Sequence, residues 1–297
     1  MSGIIYIKKK ENVVIQHPFG MADRNTKKRN KLGTIFGTGS RPIDYTVAAI
    51  QLLDQKGKLN LNDPISKYIS NVPDDKLTMT ISHLMTGRSG LPDFFDNDSD
   101  WDADLAWVTR DDAVKRMMNQ KLLFAPGEGQ SHSHGAFGLI AAIIEIVSGE
   151  AYYEFIRKHL LDPAGMKNTG EYGQRGDQNM EYFAVGSGPQ KNGFPNIPPN
   201  WGPTSWLIKG SGGMYSILAD LLRFYDFIRN GNVLDEEHKK TFLRATASLD
   251  GSMRGFELFS LFEPGKGELY LFSNEIGSQT KMRALIRALE KLLVQND

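Results

Sequence analysis

The sequence predicts an α+β fold: an antiparallel sheet drawn from both chain ends, flanked by helices, with a mostly helical segment between. Three observations carry this. Short β-branched or aromatic runs lie near each end of the chain. Apolar residues at helical spacing fill the middle and recur at the C-terminus. Strand-rich ends around a helical block mark an α+β chain rather than an alternating α/β one.

In chain order, Ile4-Ile5-Tyr6-Ile7 and Val13-Val14-Ile15 flank the polar turn Lys8-Lys9-Lys10-Glu11-Asn12. This reads as a β-hairpin. Residues 40–54 read as a helix, with Pro42 in its first turn and Val47, Ile50 and Leu53 on one stripe. Residues 80–86, 111–119, 137–148 and 152–161 read as further helices, the third stopped by Gly149 and the fourth by Asp162-Pro163. Residues 171–206, rich in Gly, Pro and Asn, read as a long loop or lid. Residues 256–262 and 269–272 form a second hairpin around Glu263-Pro264-Gly265-Lys266-Gly267-Glu268. Leu269-Tyr270-Leu271-Phe272 is apolar at every position, which predicts a strand covered on both faces. The last helix places Met282, Leu285, Ile286, Leu289, Leu292 and Leu293 on one stripe. The expected domains are a discontinuous sheet domain, residues 1–60 and 205–297, and a helical one, residues 61–204.

Composition narrows the function. Lys plus Arg is 35 and Asp plus Glu is 35, so the basic excess of a nucleic-acid protein is missing. The 297 residues can bury a sizeable core without staples. The absence of cysteine removes thiolate nucleophiles, Cys-ligated zinc and iron–sulfur clusters. The longest apolar run, residues 136–144, is far short of the ~20 residues a spanning helix needs. No membrane span is therefore expected. The N-terminal apolar run is too short for a signal peptide and precedes its lysines. A cytoplasmic chain is the expectation as it stands, an extracytoplasmic one if a leader is removed.

An ordered set of short stretches carries a resemblance. They run from Phe19-Gly20-Met21-Ala22-Asp23 and Gly37-Thr38-Gly39-Ser40 to Leu59-Asn60-Leu61-Asn62-Asp63-Pro64-Ile65. Thr80-Ile81-Ser82-His83-Leu84-Met85-Thr86-Gly87-Arg88-Ser89-Gly90-Leu91-Pro92 and Ala125-Pro126-Gly127 follow. Asp162-Pro163-Ala164-Gly165-Met166, Gly212-Gly213-Met214-Tyr215-Ser216, Pro264 and Asn274 complete the order. Together they resemble the serine β-lactamase superfamily: class C β-lactamases, penicillin-binding proteins and esterases of the same fold. The resemblance covers almost the whole chain and implies a β-lactamase/transpeptidase-like fold with a cleft near Ser40.

The chemical motifs depart from that family. Its mechanism needs a lysine three residues after the serine, to take the hydroxyl proton. Here Ser40-Arg41-Pro42-Ile43 puts isoleucine there. Arg41 is no substitute, because its guanidinium stays protonated. The Tyr-x-Asn motif aligns with His132-Ser133-His134, and the Lys-Thr-Gly or His-x-Gly motif with Leu249-Asp250-Gly251. The family often has histidine where Gly87 stands. About thirty residues usually found before the last motif are missing.

Two readings follow. In the first, the protein is β-lactamase-related but catalytically impaired, and binds a small-molecule or peptide-like ligand through the old cleft. In the second, it is a weak serine hydrolase working through a Ser40 acyl-enzyme. His132, at the tyrosine position, would then be the base, and His134, Asp250 and Gly251 would line the substrate site. The plainer reading of Ser40 is a helix cap, and of His132 a polar loop residue. No cofactor is expected. His132 and His134 could share one metal if the segment is extended, but no third ligand is obvious; His83 and Asp96 are candidates. The alternating acids from Asp93 to Asp104 lack the EF-hand order and read as a solvated loop.

Overall fold

A computed structural model describes residues 1–93, 107–188, 194–275 and 279–294. Its strands are β1 Gly3–Lys9, β2 Asn12–Phe19, β3 Met21–Asp23, β4 Lys28–Arg29, β5 Phe36–Gly37, β6 Gly170–Glu171, β7 Met214–Ser216, β8 Thr246–Ser252, β9 Phe256–Glu263 and β10 Gly267–Ser273. Its helices are α1 Pro42–Gln55, α2 Ile81–Met85, α3 Arg110–Asn119, α4 His134–Ser148, α5 Tyr152–Ile156, α6 Leu218–Arg229 and α7 Gln279–Val294.

The main sheet has the order β2-β1-β10-β9-β8 and is antiparallel throughout. Both chain ends meet at its centre, where Tyr6 faces Tyr270 and Ile7 faces Leu269. The apolar run in β10 is buried on both faces, as its composition requires. Leu269 and Leu271 pack with Met282, Ile286, Leu289 and Leu293 of α7. Tyr270 and Phe272 turn into the main core with Ile4 and Tyr6. Full burial of each such leucine stabilises the fold by about 1.5–3 kcal/mol. Leu292 does not share the α7 stripe and is 42% exposed, because it sits off the face that meets the sheet.

Helix α1 is buried on nearly all sides, from Tyr45 to Leu53, and packs on α4, whose residues 135–144 are all buried. One continuous apolar cluster runs from Ile4 and Phe272 in the sheet through Tyr45 to Phe137 and Ile144. No single described helix is long and apolar enough to cross a membrane, and α4 meets the following helical run at a bend of 78°.

A small second sheet, β5-β7-β6, delivers the chain into α1. The described parts of residues 171–206, up to 188 and from 194, are irregular and packed on the core. Trp201 is buried, edge-on to Tyr172 and Phe256, and donates through Nε1 to Asn196 at 2.8 Å. It therefore pins the segment to the core. Asn274 closes the opposite side: its amide donates to the carbonyls of Met21, Ala22 and Val185 at 3.0–3.1 Å.

His238 joins the end of α1 to the turn before β8. It lies 2.7 Å from Asp235 and 3.1 Å from Asp54. Burial lowers its pKa, but the Asp235 and Asp54 carboxylates outweigh this and leave it raised above the ordinary value. A raised folded-state pKa contributes stability that is complete below the unfolded value of about 6.5. That contribution is lost as pH rises through the folded value. The partner sets the lower edge: hydrogen bonds from His238 hold Asp235 below its usual range, so its share is lost as pH falls through that depressed value. His238→Ala should therefore lower the urea midpoint near pH ~6 and leave it nearly unchanged near pH ~9. An equal loss at both pH values would refute this linkage.

Candidate functional site

The chain reaches Ser40 along a defined path. Thr38 hydrogen-bonds the Met214 carbonyl through both its amide (3.1 Å) and its hydroxyl (2.9 Å). Gly39 then turns at φ +56°. A Cβ there would lie 2.8 Å from the Gly251 amide nitrogen and 3.0 Å from the Asp250 carbonyl carbon. Only glycine satisfies both the turn and this approach of β8. Gly251 and Asp250 thus border the residue before Ser40.

Ser40 does not cap α1. The cap position is Arg41, without a side-chain cap bond. Pro42 has no N–H, Ile43 N–H goes to the Ser40 carbonyl, and Asp44 N–H to the Arg41 carbonyl. The free amides expected at this turn are therefore mostly used, and what α1 offers a developing oxyanion is chiefly the positive end of its dipole. Ile43 packs partly buried against the core, one helical turn on.

The Ser40 hydroxyl is directed at a histidine. Its Oγ lies 3.0 Å from Nε2 of His134. Nδ1 of the same ring lies 2.8 and 3.1 Å from the two carboxylate oxygens of Asp93. A carboxylate only accepts, so Nδ1 carries a proton, and in the neutral ring Nε2 turns its lone pair to the serine. Ser40, His134 and Asp93 thus share the spatial arrangement of the nucleophile, base and orienting-acid constellation that recurs on unrelated folds and is recognised by geometry.

Helix α4 creates this arrangement. The sequence places its start at Phe137, but it begins at His134, because Ser133 is the cap and accepts from Ala136 N–H at 3.3 Å. The same hydroxyl donates to the Pro92 carbonyl at 2.9 Å. One serine therefore starts the helix that carries His134 and fastens the segment that carries Asp93.

The other sequence candidates take different places. His132, expected beside Ser40, is exposed; His134 holds the position on the serine, because helix α4 turns it inward while His132 stays on the preceding loop. His132 stands edge-on to His134 at 4.6 Å between ring centres. Desolvation of its ring against the neighbouring groups and the charge of His134 lower its pKa, against Asp93 and Asp250. Asp250 is 11% exposed and pairs with Arg41. Arg41 also bonds Asp44 at 3.0 Å, the Tyr225 hydroxyl at 2.9 Å and Ser248. Burial disfavours the guanidinium charge, but Tyr225, Asp250 and Asp44 outweigh this and raise its pKa well above normal. His83 lies in the capping box of α2, away from this group. Asp96 falls outside the described residues. Asp93, His132 and His134 each offer a donor atom within 4.8 Å of the others, so the carboxylate that stands beside the two histidines is Asp93, not Asp96 or His83. A cleft of about 620 Å³ lies elsewhere, between residues 68–71, α3 and α4, and contains none of these groups.

Comparison with known proteins places this geometry in context. The Beta-lactamase family model matches residues 3–258. Penicillin-binding protein 4* of Bacillus subtilis is 30% identical over 243 residues, 77% of this chain and 52% of its own length. Putative penicillin-binding protein PbpX of the same organism is 28% identical, over 99% of this chain and 75% of its own. The crystal structure of a penicillin-binding protein from Bacillus halodurans superposes with a TM-score of 0.78 at 24% identity, covering 97% of this chain and 96% of that one.

Proposed function

This chain belongs to the Beta-lactamase family, and we propose that it is a serine acyl-transfer hydrolase acting on an ester, amide or β-lactam carbonyl. The supporting observation is the continuous path Ser40–His134–Asp93, at 3.0 and 2.8 Å. Ile43 cannot take the family lysine's part, and His134 stands where a proton acceptor is needed.

In this reading Ser40 Oγ attacks the acyl carbon while its proton passes to His134 Nε2. Asp93 holds the imidazole in the correct tautomer and stabilises the imidazolium. The Nε2 proton then goes to the leaving group as its bond to the acyl carbon breaks. Water, deprotonated by the same nitrogen, hydrolyses the acyl-enzyme and restores Ser40. The positive end of α1 favours the transient oxyanion. The names of the relatives support penicillin as one acyl probe.

The test is intact mass after incubation with a fluorophosphonate and, separately, with benzylpenicillin. In the first, Ser40 Oγ displaces fluoride and keeps the phosphonyl group. In the second, it opens the lactam and keeps the whole molecule. A single adduct on wild type, absent from Ser40→Ala, is expected with at least the fluorophosphonate. A folded wild-type protein that takes no adduct would overturn this reading in favour of a cleft that binds without turnover, which the replacement of lysine by Ile43 favours.

A further inference from the structure

The group next to Ser40 contains one more histidine than the proton path uses. Ser133 between them is extended, at φ −147° and ψ 118°, and leaves the rings of His132 and His134 in contact. Their rings stand at 90° and 4.6 Å, and Asp93 closes the third corner. Two imidazoles and a carboxylate with an open fourth position form a donor set suited to zinc. Metal–donor distances of about 2.0–2.1 Å require donors roughly 3.3 Å apart in a tetrahedron. His134 Nδ1 and Asp93 already lie at 2.8 Å. All three donor atoms lie within 4.8 Å of one another.

We propose that Asp93, His132 and His134 bind a divalent cation, best zinc, and that binding switches off Ser40. The second half rests on the hydrolase reading above. The chemistry is a matter of one proton. Zinc on Nδ1 of His134 displaces the proton that Nδ1 shares with Asp93, and that proton passes through water to Nε2. A neutral imidazole then carries its single proton on Nε2. That nitrogen becomes a donor to Ser40 Oγ and can no longer accept the serine proton. Asp93 is likewise diverted from orienting the ring to holding the metal. Such a site would make hydrolysis depend on local zinc, with His132 contributing to metal binding alone.

Two measurements on untagged protein test this separately. The first is zinc bound per chain after equilibrium dialysis, measured on wild type, Ser40→Ala and His132→Gln. About one zinc on wild type and on Ser40→Ala, with affinity at least tenfold weaker for His132→Gln, is expected. No stoichiometric binding, or equal affinity in His132→Gln, would overturn the proposal whatever the activity. The second is the rate of fluorophosphonate labelling. Wild type should slow about tenfold at a zinc concentration ten times its Kd, and recover with EDTA. His132→Gln should label at the metal-free rate and resist the same zinc. Labelling unchanged by bound zinc would overturn the switch. Zinc-dependent hydrolysis by Ser40→Ala would also overturn it, in favour of a metal-bound water as nucleophile. Zinc binding by a protein that never labels would uphold the metal site and overturn the hydrolase reading instead.

Discussion

His134→Ala is expected to slow acylation of Ser40 by about 10²–10⁴-fold, the usual contribution of a positioned general base. His132→Ala, in metal-free buffer, should change it by no more than a few-fold. The contrast follows from position: Nε2 of His134 lies 3.0 Å from the serine oxygen, whereas His132 meets His134 edge-on and stands exposed. Second-order rate constants for fluorophosphonate labelling, with circular dichroism to show that each variant is folded, measure the difference. A larger loss in His132→Ala than in His134→Ala would reverse the assignment and return the base to the family's tyrosine position.

Arg41→Met is expected to destabilise the protein by about 3–5 kcal/mol, the range for removing one partner of a buried ion pair. Arg41 is 8% exposed and joins Asp44 on α1, Tyr225 on α6 and Asp250 on β8. Without it, the Asp250 carboxylate remains buried with only Ser248 as a remaining partner among the bonds described. The double variant Arg41→Met with Asp250→Asn should recover part of the loss, since the Asp250 charge is gone and Asp44, 29% exposed, keeps the Tyr225 hydroxyl as donor. Urea unfolding of both variants and of wild type is the measurement. A loss in Arg41→Met below about 0.5 kcal/mol would mean that the network is solvated, as surface pairs are. Because β8 borders Gly39, the same substitution should also slow acylation of Ser40.

How much of the site was legible depends on each residue. Ser40 stands out through the stretch that ends in Gly39-Ser40 and the helix after it. The pair His132 and His134 is visible in the sequence, but its order of importance is not. Aligning Tyr-x-Asn with His-Ser-His favours the first histidine. The signal for the second was Ser133, a helix cap immediately before His134, which the weak apolar character of His134-Gly135 concealed. Asp93 sits in an acidic run where nothing local separates it from its neighbours. Its place comes from the Ser133 bond to the Pro92 carbonyl. The network around Arg41 was missed because an arginine beside a cap looks like a surface residue until β8 and α6 cover it.

The sequence alone determined the fold class and the order of the two hairpins and most helices, though not α6 or β8. Period-two and period-3.6 patterns are local, so hairpins, helices and their order can be read from neighbours in the chain, and β10 declared its two buried faces by composition. Only the tertiary structure decided the chemistry. Ser40 and His134 are 94 residues apart, His134 and Asp93 are 41, and Arg41 and Asp250 are 209. Whether such groups meet depends on how α1, α4 and β8 pack. A shift of one or two residues in the start of α4 exchanges which histidine faces the serine. A proton path requires donor–acceptor distances near 3 Å, and only packing in three dimensions sets these.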